Sequence, residues 1–159
     1  MAVWEENSPR ALVLEPSREL AVQVSRELFQ IGRKKRLKVP AVFGGFPIDK
    51  QMQTLKQKSH IVVGTPGRVM DLVRRGSLQL SGITHLVIDE ADLMLDMGFL
   101  EEVGEIIFPC CRKNRKIPAL FSNSGKTGAD PDRQLCSRRC FCGAGSGGWP
   151  AAFHRTGGL

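Results

Sequence analysis

T-H-L-V-I-D-E-A-D-L-M-L-D-M-G-F, residues 84–99, joins an apolar segment to a cluster of acids. Leu86, Val87 and Ile88 form an apolar run suited to a buried strand, and it ends abruptly on Asp89, Glu90 and Asp92. In a parallel α/β sheet, ligands collect at the C-terminal ends of the strands, so acids there can hold a metal and position a water. The same acids also suit the first turn of a helix, where negative charge meets the positive end of the macrodipole. The cluster alone leaves both readings open.

On either side, further apolar runs are followed by segments of helical period. Residues 11–14 are aliphatic and lie between Pro9 and Pro16, which predicts a strand. Leu20, Ala21, Val24, Leu28 and Ile31 then repeat at helical spacing, with Ser17 as N-cap and Gly32 as the expected stop. Residues 39–43 predict a second strand ending in Gly44 and Gly45, followed by a helix over 49–57 with Met52 and Leu55 inward. Paired glycines suit either a close backbone approach or a tight turn. Residues 61–63 are strand-like and run into G-T-P-G-R, where Thr65 and Pro66 open a helix carrying Val69, Met70, Leu72 and Val73. The free amides of that helix start could receive an anion, with Arg68 adding charge. A helix over 99–107 closed by Pro109 and a strand over 117–121 complete the pattern. Strand, helix, strand in repetition means parallel pairing with helices on the sheet faces, an α/β fold.

Composition sets the bounds. With 42% hydrophobic and 25% charged residues in 159, the chain has material for one globular core. No run of about 18 apolar residues is present to cross a membrane. The first ten residues carry two acids and no apolar stretch of a secretory signal, so a cytoplasmic protein with no membrane contact is expected. A monomer is expected. The net charge of +7, with Arg33, Lys34, Lys35, Arg36 and Lys38 in one cluster and Arg112, Lys113, Arg115 and Lys116 in another, suits a phosphate backbone. With no Tyr and only two Trp, the chain offers few stacking platforms, so contact with nucleic acid is expected to run mainly through its backbone. The five cysteines, an odd number, argue for thiols, and C-x-x-x-C-x-C from Cys136 matches no usual zinc spacing.

Residues 123–159 hold three of the five cysteines and G-A-G-S-G-G-W-P, without helical or strand period, and are expected to be disordered. S-N-S-G-K-T over 122–127 falls short of G-x-x-x-x-G-K-[ST], because Leu120 stands where the first glycine is required.

P-S-R-E-L-A (16–21), G-G (44–45), T-P-G-R (65–68) and D-E-A-D (89–92) occur in order, each at the end of a predicted strand. Together they resemble the first RecA-like domain of a DEAD-box ATP-dependent RNA helicase, with surrounding wording similar to the bacterial DbpA-type subgroup. The likeness covers roughly residues 3–122, so 1–122 is expected to be part of that domain and 123–159 an unrelated tail. The resemblance implies ATP and Mg2+ as cofactors and RNA as partner. It implies that Asp89 holds magnesium through water and that Glu90 orients and deprotonates the attacking water. Pro16, Ser17, Arg18, Gly44, Gly45, Thr65, Gly67 and Arg68 would grip RNA, and Asp92, Ser122 and Ser124 would couple the nucleotide to strand engagement. Ser17 stands where the family usually has Thr. S-N-S replaces the family's S-A-T at 122–124, and neither its phosphate-binding loop nor its second RecA-like domain has a counterpart in these residues. The expectation is therefore a helicase fragment, inactive in ATP turnover by itself. The alternative is a non-catalytic module that binds RNA backbone.

Overall fold

The structure, a computed structural model, describes residues 9–111, 118–121, 140 and 141. Ser122, Ser124, the 122–127 stretch, the second basic cluster and all of the tail except Cys140 and Phe141 lie outside the described residues.

Short unbroken apolar runs build the sheet. In chain order the elements are β1 (Ala11–Leu14), α1 (Arg18–Gly32), β2 (Ala41–Val42), α2 (Ile48–Lys56), β3 (Ile61–Gly64), α3 (Pro66–Arg74), β4 (His85–Ile88), α4 (Ala91–Asp96), α5 (Leu100–Cys111), β5 (Pro118–Phe121) and β6 (Cys140–Phe141). The strands lie in the order β2-β3-β1-β4-β5-β6. The first five are parallel, and β6 runs antiparallel to β5. The α/β class read from the sequence is therefore the observed one.

Successive side chains of a strand point to opposite faces, and the core divides accordingly. Leu12, Leu14, Val62, Leu86 and Ile88 pack with Val69 and Leu72 of α3, Met94 of α4 and Ile106 and Ile107 of α5. Val13 and Val63 pack on the other face with Ala21 of α1 and Val39, joined by Val24 and Leu28. Both faces are covered, as a parallel sheet requires. The chain leaves β1 for β2 and β3 on one side and reaches β4 and β5 on the other. The switch point of the topology therefore falls between β1 and β4, with α1 on one face and α4 and α5 on the other.

Four details differ from the sequence reading, each for a local reason. First, β2 covers only Ala41–Val42, because Pro40 has no amide to donate, although its carbonyl still accepts from Val63 N at 3.1 Å. Second, Ile31 is 80% exposed instead of completing the apolar face of α1. Leu37 packs there, and Gly32 is its seat, since a Cβ at Gly32 would lie 2.8 Å from Leu37 Cβ. The turn that ends this segment is made by Arg36 at φ 53°. Third, α5 runs through Pro109 to Cys111; a proline in the last turn removes one backbone bond and the helix goes only two residues further. Fourth, Cys140–Phe141, in a segment read as having no strand period, pairs with β5.

Gly64 closes β3 against two neighbours at once. A Cβ there would come within 2.5 Å of Val42 Cγ2, 2.6 Å of the Val42 carbonyl oxygen and 2.9 Å of Val69 Cγ2. Only a hydrogen fits between β2 and α3.

Candidate functional site

Strand register brings the singled-out residues to one edge. Leu14 lies beside Gly64 and Ile88, and Val42 beside Gly64, so β1, β2, β3 and β4 end level with one another. Each ladder continues one bond further: Glu15 N donates to Gly64 O at 3.0 Å, Asp89 N to Leu14 O at 3.0 Å and Thr65 N to Val42 O at 3.0 Å. The segments 15–18, 43–46, 65–68 and 89–92 therefore form the rim of the sheet at its carboxyl end.

Acids gather on the β1/β4 side of this rim. Asp89 follows β4 and its Oδ1 accepts the Glu90 amide at 3.0 Å. Glu90 occupies the N-cap of α4 in a left-handed backbone conformation, φ 48° and ψ 50°, with no side-chain cap bond. An L residue held there stores strain on the order of 1–2 kcal/mol, a cost found mostly at functional sites. The reading of Asp89 and Glu90 as a plain helix start is thus half met: a helix does begin, but Glu90, at its N-cap position, makes no side-chain cap bond.

The sequence reading missed Glu15. Its side chain is fully buried at the end of β1, and neither carboxyl oxygen has a hydrogen-bond partner among the described residues. Burial first, then the charges of Asp89 and Glu90, push its pKa up to about 7. An acid placed directly after the apolar run 11–14 was the available signal. Asp92, in the first turn of α4, likewise buries an Oδ1 with no partner among the described residues. Its two expected partners, Ser122 and Ser124, lie outside them.

Cations and open backbone gather on the β2/β3 side. Ser17 caps α1 as expected, its hydroxyl accepting from Leu20 N at 3.3 Å, which leaves Arg18 exposed at the first helical position. Pro16 is buried beneath it. Gly44 has open space around it, and Gly45 takes φ 76° beside the Arg18 guanidinium. Thr65 is the N-cap of α3 and Pro66 its first residue, but the Thr65 hydroxyl makes no cap bond. Gly67 has nothing within 4 Å of a Cβ position. Arg68 Nη1 donates to Phe46 O at 2.9 Å and to Gln51 Oε1 at 3.0 Å. Gln51, also missed, is buried and donates from Nε2 to Phe43 O at 3.1 Å. A glutamine four residues before Leu55, on the inward face of α2, was its signal.

Chemically, this rim combines an acidic crevice at the switch point with a basic, glycine-opened ledge beside it. Among the described residues, no three of His, Cys, Asp or Glu are grouped to hold a metal by themselves. No described helix is long and apolar enough to cross a membrane.

A family model described as DEAD/DEAH box helicase matches residues 1–127. The chain is 60% identical over 107 residues to the ATP-dependent RNA helicase DbpA of Bacillus subtilis (strain 168), covering 67% of this chain and 22% of that protein. It is 55% identical over 103 residues to the DEAD-box ATP-dependent RNA helicase CshA of Streptococcus pneumoniae (strain TIGR4), covering 65% and 20%. The chain thus spans about a fifth of the length of these relatives. Among solved structures, a DEAD box protein of the hyperthermophile Methanococcus jannaschii aligns with TM-score 0.66 and 39% identity, covering 85% of this chain and 36% of that one. A hypothetical ATP-dependent RNA helicase from Sulfolobus tokodaii aligns with TM-score 0.65 and 42% identity, covering 72% and 34%.

Proposed function

The chain belongs to the DEAD/DEAH box helicase family, and we propose that it forms the part of a cytoplasmic, ATP-dependent RNA helicase that grips RNA and carries the carboxylates for ATP hydrolysis. One observation supports this above the rest: the four motif segments end level on adjacent parallel strands, acids at the switch point and cations beside it.

Arg18 and Arg68 meet phosphates, while Gly44, Gly45 and Gly67 let the RNA backbone come close. Pro16, Ser17 and Thr65 fix the helix starts that carry these groups. Such contacts hold the strand without reading its sequence, through phosphates and 2′-hydroxyls. On the acidic side, Glu90 orients water and takes its proton, and Asp92, Ser122 and Ser124 couple the nucleotide to strand engagement.

Magnesium fits the acidic side. Glu15 is a buried carboxyl beside Asp89 and Glu90 with neither oxygen partnered among the described residues, a deficit that a divalent cation relieves. Carboxylates are the right donors for this hard ion, which keeps waters and takes only one or two protein ligands together with substrate phosphates. Asp89 would hold it, through water. When bound, the ion neutralises charge on the phosphate oxygens. The 159 residues contain no G-x-x-x-x-G-K-[ST] pattern, and hold on the phosphates is the main catalytic contribution, so ATP turnover by this polypeptide alone is expected to be undetectable.

RNA binding is the direct test. Fluorescence anisotropy with a labelled single-stranded oligoribonucleotide should show binding at low salt that weakens with a log–log slope of about −0.7 per phosphate contact. Arg18→Ala, an exposed change that spares the fold, should weaken binding and make that slope shallower by about one contact. No binding at low salt removes the reading.

A further inference from the structure

Composition points to RNA contact mainly through the backbone, yet the structure assembles an aromatic surface at the point where the backbone grip is expected. Phe43 and Phe46 flank the two glycines, with ring centroids 6.1 Å apart at 59°. Phe46 is 44% exposed. The Arg18 guanidinium lies 5.8 Å from the Phe43 ring centre and the Lys50 ammonium 6.0 Å from that of Phe46. The loop is held from behind, since buried Gln51 binds the Phe43 carbonyl and Arg68 binds the Phe46 carbonyl. An exposed ring is therefore kept in place by two backbone bonds, with a cation at its face and open space at Gly44 alongside.

We infer that Phe46 is a stacking platform for one base of single-stranded RNA, with Lys50 and Arg18 receiving the flanking phosphates. Single-strand binders combine these two elements, a cationic track for the backbone and an aromatic face for a base. A ring with no hydrogen-bonding group tolerates any base, which matches a surface that otherwise touches only phosphate and sugar. An apolar side chain meant only to fill the loop would be covered by it, whereas Phe43 takes the half-buried place and Phe46 the exposed one. Charge favours this occupant: Lys50 lies over the Phe46 ring, Arg68 holds the Phe46 carbonyl, Arg18 lies over the neighbouring Phe43 with Glu19 3.7 Å from its Nε, and the chain carries +7 overall. The inference rests on the RNA-gripping reading above.

Binding of the full chain to a labelled single-stranded oligoribonucleotide, and to an abasic oligomer of the same length, separates the possibilities. Phe46→Ala should weaken binding to the oligoribonucleotide roughly tenfold, the scale of one base on one aromatic ring, with an unchanged salt slope. Phe46→Trp should restore it. On the abasic oligomer, wild type and Phe46→Ala should bind alike. If Phe46→Ala binds the oligoribonucleotide within about twofold of wild type, or loses as much on the abasic oligomer, stacking is overturned. Should Arg18→Ala still weaken binding in that case, only the stacking inference fails. If wild type binds neither ligand, the RNA-gripping reading falls with it. Equal thermal midpoints of wild type and variants show that the loop, not the fold, was changed.

Discussion

The two halves of the rim are built on opposite principles. On the β2/β3 side the charged and polar groups are anchored internally: Arg68 to Phe46 O and Gln51, Gln51 to Phe43 O, Ser17 to Leu20 N. Of these groups Arg68 Nε alone is buried without a partner among the described residues. On the β1/β4 side Glu15 lacks a partner at both oxygens and Asp92 at one among the same described residues, and Glu90 sits in a strained backbone conformation. A surface that receives a flexible polyanion gains by keeping its shape beforehand, because every group already ordered lowers the entropy lost on binding. A crevice that receives a cation and phosphates is instead left electrostatically incomplete. One half holds its form without a ligand; the other is at odds with itself until one arrives.

The largest test of that contrast is Glu15→Gln. The folded pKa of Glu15 is raised from 4.5 to about 7, so the unfolded chain ionises this group first. The fold therefore loses stability as pH rises from 4.5 to about 7 and stays at the lower level above. Glu15→Gln should match wild type near pH 4 and exceed it by up to about 3 kcal/mol near pH 8, read from denaturant midpoints. Millimolar magnesium should narrow the gap. A gap independent of pH would show that the carboxyl has a partner and would erase the contrast.

Gln51→Leu probes the anchored side and should do the reverse. It strips the Phe43 carbonyl and Arg68 of a buried partner, at a cost of about 2 kcal/mol with little dependence on pH. It should also weaken RNA binding by releasing the 43–46 loop. A stable variant with unchanged RNA affinity would show that this half is not held by the network.

The smallest effect is Glu90→Gly. Glycine adopts φ 48° without strain, so the variant should gain about 1 kcal/mol in thermal unfolding while losing the carboxylate. A loss of stability would mean that the Glu90 side chain supports the fold it strains.

The parts of this arrangement legible in the sequence are those that rest on local chemistry. The apolar runs 86–88 and 11–14, the Ser17 cap and the Thr65-Pro66 start gave strands and helices in place, and parallel pairing followed from the long crossovers. What remained hidden depended on contacts between distant segments. Glu15 is an ordinary acid until β4 brings Asp89 beside it, and Gln51 is an ordinary helix polar residue until the 43–46 loop folds over it. The exposure of Ile31 follows from Leu37 taking its place on α1, and the pairing of Cys140–Phe141 from an edge that only the assembled sheet offers. Low aromatic content likewise says nothing of where the aromatics gather; two of the eight Phe flank the same glycine pair.

Gly64 carries a consequence for how the chain can change over generations. Because a single methyl group there would collide with Val42 and Val69 together, any library selected for folding alone should keep glycine at 64. Gly44 and Gly67, with nothing near them, should drift freely under the same selection and become fixed only when RNA binding is also demanded. The glycines of one rim would thus keep two separate histories, one written by packing and the other by the ligand.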